Sequence, residues 1–185
     1  MGWALARCPV RIASPQALAA FALLGFLLAA FEAGAQAPAC VLQPAAGAPA
    51  RQILHCRDGL TIEAEAGANY TLLDSSGDGS PDSATLRSRA LLIDVQDSVR
   101  RGGFRVLTPQ AIAAVRGTQW VVDVAGGRSS VFVVTGRVVV RRPPARTGVR
   151  LGPGEGVDVE AGTGPLTVRR WPAARANALL ARFGR

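Results

Sequence analysis

The sequence lacks most of the residue types on which enzymatic sites are built. Its 185 residues include one histidine, His55, and its 21 basic residues are all arginine, without a single lysine. It has no G-x-S-x-G segment and no pair of carboxylates spaced for acid and base work. Catalysis needs a base, a nucleophile or a metal held in a pocket. We therefore expect a non-catalytic protein with no catalytic residue and no resident cofactor.

The positive charge is a weak indicator of function. The net charge of +8 comes from arginines scattered along a chain rich in alanine, glycine and proline, as GC-rich coding produces. A nucleic-acid binder clusters its basic residues on one element and interleaves them with aromatic residues. We expect no nucleic-acid partner, while the apolar fraction of 49% permits a substantial core.

The first 35 residues have the composition of an export signal. Arg7 and Arg11 form a basic start, residues 18–31 form an apolar run, and Ala33-Gly34-Ala35 is a small-residue cleavage site. This pattern predicts cleavage after Ala35 and a periplasmic protein. The run is shorter than the roughly 20 residues that span a bilayer, and no later stretch is longer. An uncleaved anchor is the alternative; after cleavage no stable membrane span would remain.

The cysteines predict a disulfide. Cys8 leaves with the signal, so Cys40 and Cys56 remain as an even pair in an oxidising compartment. A bridge closing a loop of about 16 residues contributes on the order of 3 kcal/mol in the chain-entropy model. The alternative is a metal site from Cys40, His55 and Cys56, which is disfavoured because adjacent side chains on a strand point to opposite faces. Cys40 also lacks the preceding leucine of a lipid-anchor motif.

The stretch from Leu107 to Arg141 is the most regular part of the chain. Residues 118–124 alternate as a strand with one wetter face, Ala125-Gly126-Gly127-Arg128 is a turn, and residues 129–135 resume with β-branched residues. Gly136-Arg137 then reads as a tight turn before Val138-Val139-Val140. We expect a three-stranded meander.

The same stretch resembles the FecR domain, the periplasmic signalling module of bacterial iron-transport regulators. The resemblance covers roughly residues 105–160. It rests on Arg116-Gly117-Thr118, the strand Val131 to Val134, Gly136-Arg137-Val138, and a closing segment from Leu151 to Val157 that contains Gly154.

The resemblance implies a β-rich, solenoid-like, non-catalytic module. In iron-transport regulation the FecR domain relays receptor occupancy to a cytoplasmic sigma factor. Because no sigma-binding segment precedes the apolar run, we do not expect anti-sigma activity here and interpret the chain as a stand-alone exported FecR domain.

Short strand signals continue on both sides of this stretch. They fall at residues 52–55, 60–64, 68–73, 84–95, 104–107, 149–151 and 157–160. The alternation breaks near Arg89, which predicts a bulge or bend there. Short strands without intervening helices favour an all-β fold, either a solenoid-like stack or a sandwich.

The loop from Asp74 to Asp82 leaves two interpretations open. Asp74, Ser76, Asp78 and Asp82 occupy the first, third, fifth and ninth places of a calcium loop, with glycine at the sixth. The twelfth place, however, is Thr85 in place of the usual glutamate. Aspartate and glycine also dominate ordinary turns. We favour a solvated hairpin loop and keep Asp74, Asp78 and Asp82 as candidate calcium ligands.

The chain is divided by these signals into four parts. They are a signal peptide at 1–35, an N-terminal β-rich subdomain at 36–103 that ends in the connector Arg100 to Gly103, a FecR-like β domain at 104–170, and a helix at 171–185. In the last part Pro172 suits a first turn, and Ala176, Leu179, Leu180 and Phe183 share one face. We expect this helix to cap an open end of the β core; a partner-binding helix with Arg175 and Arg182 exposed is the alternative.

Two functions fit these observations. The first is a periplasmic interaction or sensor module in envelope signal transduction, acting on a membrane-bound sensor or receptor, with a binding face on the meander edge from Arg137 to Arg141. The second is a binder of envelope polysaccharide or peptidoglycan. A glycan site needs exposed aromatic platforms, and Tyr70, Trp120, Phe132 and Trp171 lie in mostly apolar surroundings. We favour the first.

Overall fold

The computed structural model describes residues 39–96 and 103–185. The expected signal peptide and most of the expected connector at 100–103 lie outside these residues. Within the described part, no helix is both long enough and apolar enough to cross a membrane.

The described chain is built of short strands and one C-terminal helix, which confirms the all-β prediction. The strands are β1 (Cys40–Pro44), β2 (Arg51–Cys56), β3 (Leu60–Glu65), β4 (Asn69–Leu73), β5 (Ser83–Val95), β6 (Phe104–Leu107), β7 (Ile112–Val115), β8 (Thr118–Ala125), β9 (Arg128–Thr135), β10 (Val138–Arg141), β11 (Val149–Leu151), β12 (Glu155–Glu160) and β13 (Arg169–Arg170), and the helix is α1 (Ala173–Ala181).

The strands form one continuous sheet that folds into two layers. Layer A has the order β1-β2-β3-β5-β8-β9-β12-β13, and layer B has the order β4-β5-β6-β7-β10-β11. All neighbouring pairs are antiparallel except β5 and β6, which are parallel. The two layers are joined because β5 belongs to both.

Strand β5 changes layers at Arg89. Its residues 83–88 pair with β4 and its residues 89–95 pair with β3 and β8. Arg89 has φ 67°, and in the described part it is the one residue other than glycine with a positive φ. The bend expected there is therefore confirmed, and it lets one strand line both layers.

The two layers enclose a single hydrophobic core. Alternate residues of each strand point into it, so that Leu86 and Phe104 of layer B meet Ile93 and Trp120 of layer A, all fully buried. The core draws on β3 and β5 as well as on β8 to β12. It is thus built from residues on both sides of the expected subdomain boundary.

Helix α1 covers the outer face of layer A. Trp171, Leu179 and Phe183 pack against Leu92 and Phe132, which point away from the main core. Trp171 stacks on Phe132 with ring centroids 5.0 Å apart. The helix is present where the sequence pattern predicts it, but it lies on a sheet face where we expected an open end of the β core.

The expected three-stranded meander is wrong in its third strand. Strands β8 and β9 do form a hairpin, but β9 pairs on its other side with β12, and β10 pairs with β7 and β11 in layer B. The segment Gly136-Arg137 is therefore a crossing between layers and not a hairpin turn. The expected binding face at Arg137 to Arg141 is not a sheet edge, because β10 has a neighbour on each side.

Hydrogen bonds of Thr118 connect two crossings of the chain between the layers. One crossing, at Gly117 with φ 58°, leads from β7 in layer B to β8 in layer A, and the other, at Gly136 with φ 82°, leads from β9 back to β10. The Thr118 hydroxyl lies 3.0 Å from the carbonyl oxygens of Arg116 and Arg137, and it accepts a hydrogen bond from the Arg137 backbone N–H. The Arg-Gly-Thr motif and the Gly-Arg-Val motif thus form one corner.

We predict that Gly136→Ala destabilises this corner by about 3 kcal/mol or more, because a positive φ is unfavourable for alanine and a clash adds to it. A Cβ at Gly136 would lie 2.5 Å from the Gly117 carbonyl oxygen. The matched control is Gly126→Ala, where φ is 58° and nothing lies within 4 Å, and for which we expect about 1 kcal/mol. Urea unfolding measures both, and equal losses would contradict the packing argument.

Candidate functional site

Two of the edge strands, β1 of layer A and β4 of layer B, are uncharged and carry exposed apolar side chains. Within the described ranges, β1 pairs only with β2, and β4 pairs only with β5. Neither CVLQP nor NYTLL contains a charged residue. Natural sheets protect free edges with charges, bulges or proline, because a free edge recruits another strand. In β1 and β4 such features lie at one end of each strand, as Pro44 and as the irregular pairing at Asn69 and Tyr70. The exposed fractions are 44% for Val41, 54% for Leu42, 37% for Leu72 and 60% for Leu73.

The strand register directs two of these side chains toward the core. Leu42 pairs with Leu54, which packs against the core, and Leu72 pairs with the buried Ala84. Paired residues share a face of the sheet, so Leu42 and Leu72 lie on the core side yet remain exposed. They are exposed because no strand pairing among the described residues joins β1 to β4. We call the gap between these two strands the edge cleft.

The edge cleft is closed at one end and open at the other. At the closed end, Cys40 Sγ lies 3.5 Å from the carbonyl oxygen of Gly79, in the loop that follows β4. At the open end is a cavity of about 390 Å³. Tyr70 is half-buried in its wall, and burial raises the pKa of its hydroxyl group. The cavity is bounded by β1 and β2 at Pro44 and Gln52, and by the turn from Ala66 to Ala68 that leads into β4.

The disulfide fixes strand β1 in place. Cys40 and Cys56 are bonded and occupy directly opposite positions of the β1–β2 pair, which confirms the expected pairing. The cysteines are therefore not the thiolates that the alternative metal site requires. His55 is directed away from them, with Nδ1 3.4 Å from the hydroxyl of Thr61. The bridge holds β1 at the edge of layer A.

The loop from Asp74 to Asp82 uses its carboxylates to bond its own backbone. Asp74 accepts hydrogen bonds from the backbone N–H groups of Gly77 and Gly79, each at 2.7 Å, and from the Ser76 hydroxyl at 3.0 Å. These bonds, led by that from Gly79, hold the pKa of Asp74 below its ordinary value. In the described ranges no three His, Cys, Asp or Glu side chains are grouped as a metal site requires.

The helix is attached to layer A by ion pairs that the sequence pattern did not predict. Arg182 donates to both oxygens of Glu65 and lies 2.9 Å from Asp123 Oδ1, while Arg175 donates to both oxygens of Asp158. Arg175 also covers the Trp171 ring at 3.5 Å from its centroid. The alternative interpretation of the helix left both arginines exposed for a partner. In the structure they bind carboxylates of their own chain.

The carboxyl groups of Glu65 and Asp158 have lowered pKa values. Burial alone would raise the pKa of Glu65, but the hydrogen bond and charge of Arg182 outweigh it, and the pKa is lowered. The same balance holds at Asp158, where Arg175 and Ser130 outweigh burial. Glu65 and Asp123 raise the pKa of Arg182 in return. The docked helix thus depends on ionised acids beneath it.

The model of the family described as FecR protein matches residues 46–139. The chain belongs to the FecR family. The match begins well before the 105–160 region of the resemblance and includes β4, while the closing segment around Gly154 and helix α1 fall outside it. FecR proteins are regulatory and non-enzymatic in kind, and this membership supports a role in signal transduction.

Two solved structures share the fold. Both are of a candidate anti-sigma factor from Parabacteroides distasonis ATCC 8503. The 1.65 Å structure is 23% identical with a TM-score of 0.54, covering 70% of this chain and 60% of that one. The 2.50 Å structure is 21% identical with a TM-score of 0.55, covering 76% of this chain and 64% of that one. The chain thus spans less than two thirds of their length. Comparison with curated proteins gives no match.

The FecR motif residues have structural positions in the described chain. Arg116, Gly117, Thr118 and Gly136 form the corner between the layers. The Gly154 N–H donates to the Val133 carbonyl, and its own carbonyl accepts from the Trp171 N–H. The motif therefore orients strands and the start of the helix, and it lies apart from the edge cleft. No sequence motif marked the cleft, because it depends on which strands lack neighbours.

We predict that millimolar calcium leaves the melting temperature unchanged, because the Asp74 carboxylate already accepts three hydrogen bonds within its own loop. Thermal unfolding with calcium and with chelator measures this. A chelator-reversible rise that Asp78→Ala abolishes would instead make the three aspartates ligands.

We also predict that the attachment of the helix weakens in acid. A carboxylate with a lowered pKa stabilises the folded state above its unfolded pKa, and this contribution is lost as the pH falls through the folded value. Glu65→Gln should cost about 2 kcal/mol at pH 7, less than a fully buried pair because Arg182 is 30% exposed. The substitution should also make stability fall less steeply as the pH drops below 4.5, which is the ordinary pKa of the glutamate side chain.

The matched control for this measurement is Glu160→Gln, since Glu160 is exposed at the end of β12. Urea unfolding at several pH values compares the variants. An unchanged pH profile in Glu65→Gln would contradict the assignment.

Proposed function

We propose that this FecR protein is a non-catalytic periplasmic interaction module that binds an extended segment of a membrane-bound sensor at the edge cleft. The observation that carries the proposal is the pair of uncharged, apolar edge strands, β1 and β4. A binding segment aligns its backbone with a free sheet edge and places alternate side chains in adjoining pockets. Strand β4 offers such an edge and lies within the segment that defines the family.

The cleft has the chemistry of a peptide site. Leu42 and Leu72 present apolar surface on its core side, and the 390 Å³ cavity beside Tyr70 is large enough for one or two side chains of a bound segment. Backbone groups on the free side of β4 supply hydrogen bonds that do not depend on the partner's sequence. Affinity then comes from the backbone, and selectivity comes from the cavity.

The periplasmic assignment rests on the sequence of the first 35 residues and on the disulfide. The apolar run and the Ala33-Gly34-Ala35 site favour export, and disulfides persist in oxidising compartments. The Cys40–Cys56 bridge holds one wall of the cleft. In reducing conditions that wall would lose its covalent attachment, so the site suits the periplasm.

The glycan alternative has little support from the aromatic side chains. Trp120 is fully buried, Phe132 is 5% exposed, and Trp171 is 8% exposed and covered by Arg175. A sugar platform requires an exposed ring face. Tyr70 lines the cavity of the edge cleft, and Trp171 lines two other cavities in which Arg175 covers its ring.

We predict that a photo-crosslinker at Leu72 captures a membrane-bound protein in intact native cells, and that adding Leu73→Lys lowers the yield about tenfold or more, because a charged edge strand resists pairing. The matched control is Val139→Lys, which places the same charge on β10, a strand with a neighbour on each side. Mass spectrometry of the crosslinked species identifies the partner.

Two results would contradict the proposal. If Leu73→Lys and Val139→Lys reduced capture equally, the loss would be explained by the added charge and not by its position on a free edge strand. If the protein sedimented with purified peptidoglycan whether or not the edge was charged, a glycan role would replace the protein role.

A further inference from the structure

The described strands of layer B contain positively charged side chains and no negatively charged ones. These strands, β4, β6, β7, β10, β11 and residues 83–88 of β5, contain no aspartate or glutamate. The arginines that they contain are Arg87, Arg105, Arg141 and Arg150, of which all but the partly buried Arg141 are exposed.

Layer A shows the opposite arrangement. Its carboxylates Glu63, Glu65, Asp123 and Asp158 are ion-paired, chiefly with arginines of α1 and of the residues after it. The helix therefore covers and neutralises the acidic face of the protein. No helix among the described residues covers layer B, and Arg87, Arg105 and Arg150 are exposed there.

The register places these arginines in line with apolar side chains. Val139, which is 42% exposed, lies between Ala114 and Arg150, and Arg105 lies on the other side of Ala114. A second line includes Arg141 beside Ile112. At about 4.8 Å per strand, six strands extend about 24 Å. The first line across them is Leu73, Ser83, Arg105, Ala114, Val139 and Arg150.

Asp82 places a carboxylate at one corner of this face. Asp82 adjoins Ser83, and its pKa is lowered by the hydrogen bond from the Ser75 backbone, with a further contribution from the charge of Arg105. Arg141 donates to the carbonyl of Ala145, which leaves its charge unneutralised. Arg150 lies at the opposite end of the line from Asp82. Most of the face thus retains its positive charge.

We infer that the outer face of layer B binds the surface of an anionic phospholipid bilayer. Guanidinium groups match phosphate oxygens in a two-bonded geometry, and the cationic side chains are complementary to a negatively charged headgroup layer. The apolar side chains between them, Val139 and Leu73, fit the boundary between headgroups and acyl chains. An acidic protein would match the charges but would leave these apolar side chains opposite polar groups.

The test is vesicle flotation with the full chain, using vesicles of phosphatidylcholine alone and of phosphatidylcholine with phosphatidylglycerol. We expect a preference for the anionic vesicles that weakens as salt is added. The double variant Arg105→Gln/Arg150→Gln should bind them about thirtyfold more weakly. The matched control is Arg169→Gln/Arg170→Gln on β13, which removes the same charge from an exposed edge of layer A and should change binding less than about twofold.

Residues 1–38 are present in every protein compared, so any contribution of the apolar run cancels between the variants. Equal losses in both double variants would overturn the inference, because binding would then follow net charge alone. The inference would also be overturned if the protein did not prefer the anionic vesicles. In that case, binding of a polyglutamate peptide would indicate that the face binds an acidic protein. Thermal unfolding verifies that both variants are folded.

Discussion

The architecture depends on one constraint: a single core must be enclosed by two layers of the same sheet. Each passage of the chain between the layers requires a sharp change in backbone direction. Strand β5 achieves this at Arg89, and the paired crossings at Gly117 and Gly136 achieve it with positive φ. The Thr118 hydroxyl connects the last two. The Arg-Gly-Thr and Gly-Arg-Val motifs therefore direct the chain between the two layers of the sheet.

Local patterns predicted the elements well because the signals for them lie within a few residues. The β8–β9 hairpin followed from Gly126-Gly127, and the break in alternation at Arg89 marked the bend. The helix followed from apolar spacing. Strand β7 had no such signal, because Ile-Ala-Ala-Val is short, small and preceded by Pro109. Most of the fold class, but not its strand order, was therefore predictable.

The errors arose where pairing is non-local. Gly136-Arg137 resembles a hairpin turn, yet β10 pairs with β7, whose register places Val138 opposite Val115. Nothing within ten residues of Gly136 specifies that partner. The edge cleft was not predicted for the same reason, because a strand edge is free only when no other strand pairs with it. The ion pairs beneath α1 were likewise hidden, because Arg182 and Glu65 are far apart in sequence and meet only after both layers form.

The two proposed surfaces share strand β4, and this gives them a geometric relation. Leu72 is directed into the edge cleft, whereas Leu73 is on the outer face of layer B beside Ser83. A protein lying on a bilayer through layer B would therefore hold the free edge of β4 close to the membrane surface, where a membrane-bound sensor exposes its first residues. The two surfaces can be altered separately, because Arg105 lies on β6 and Arg150 lies on β11, and neither strand borders the edge cleft. A variant defective in lipid binding with an intact β4 edge should still pair with a partner peptide in solution, but it should lose the advantage of being held beside that partner on the membrane.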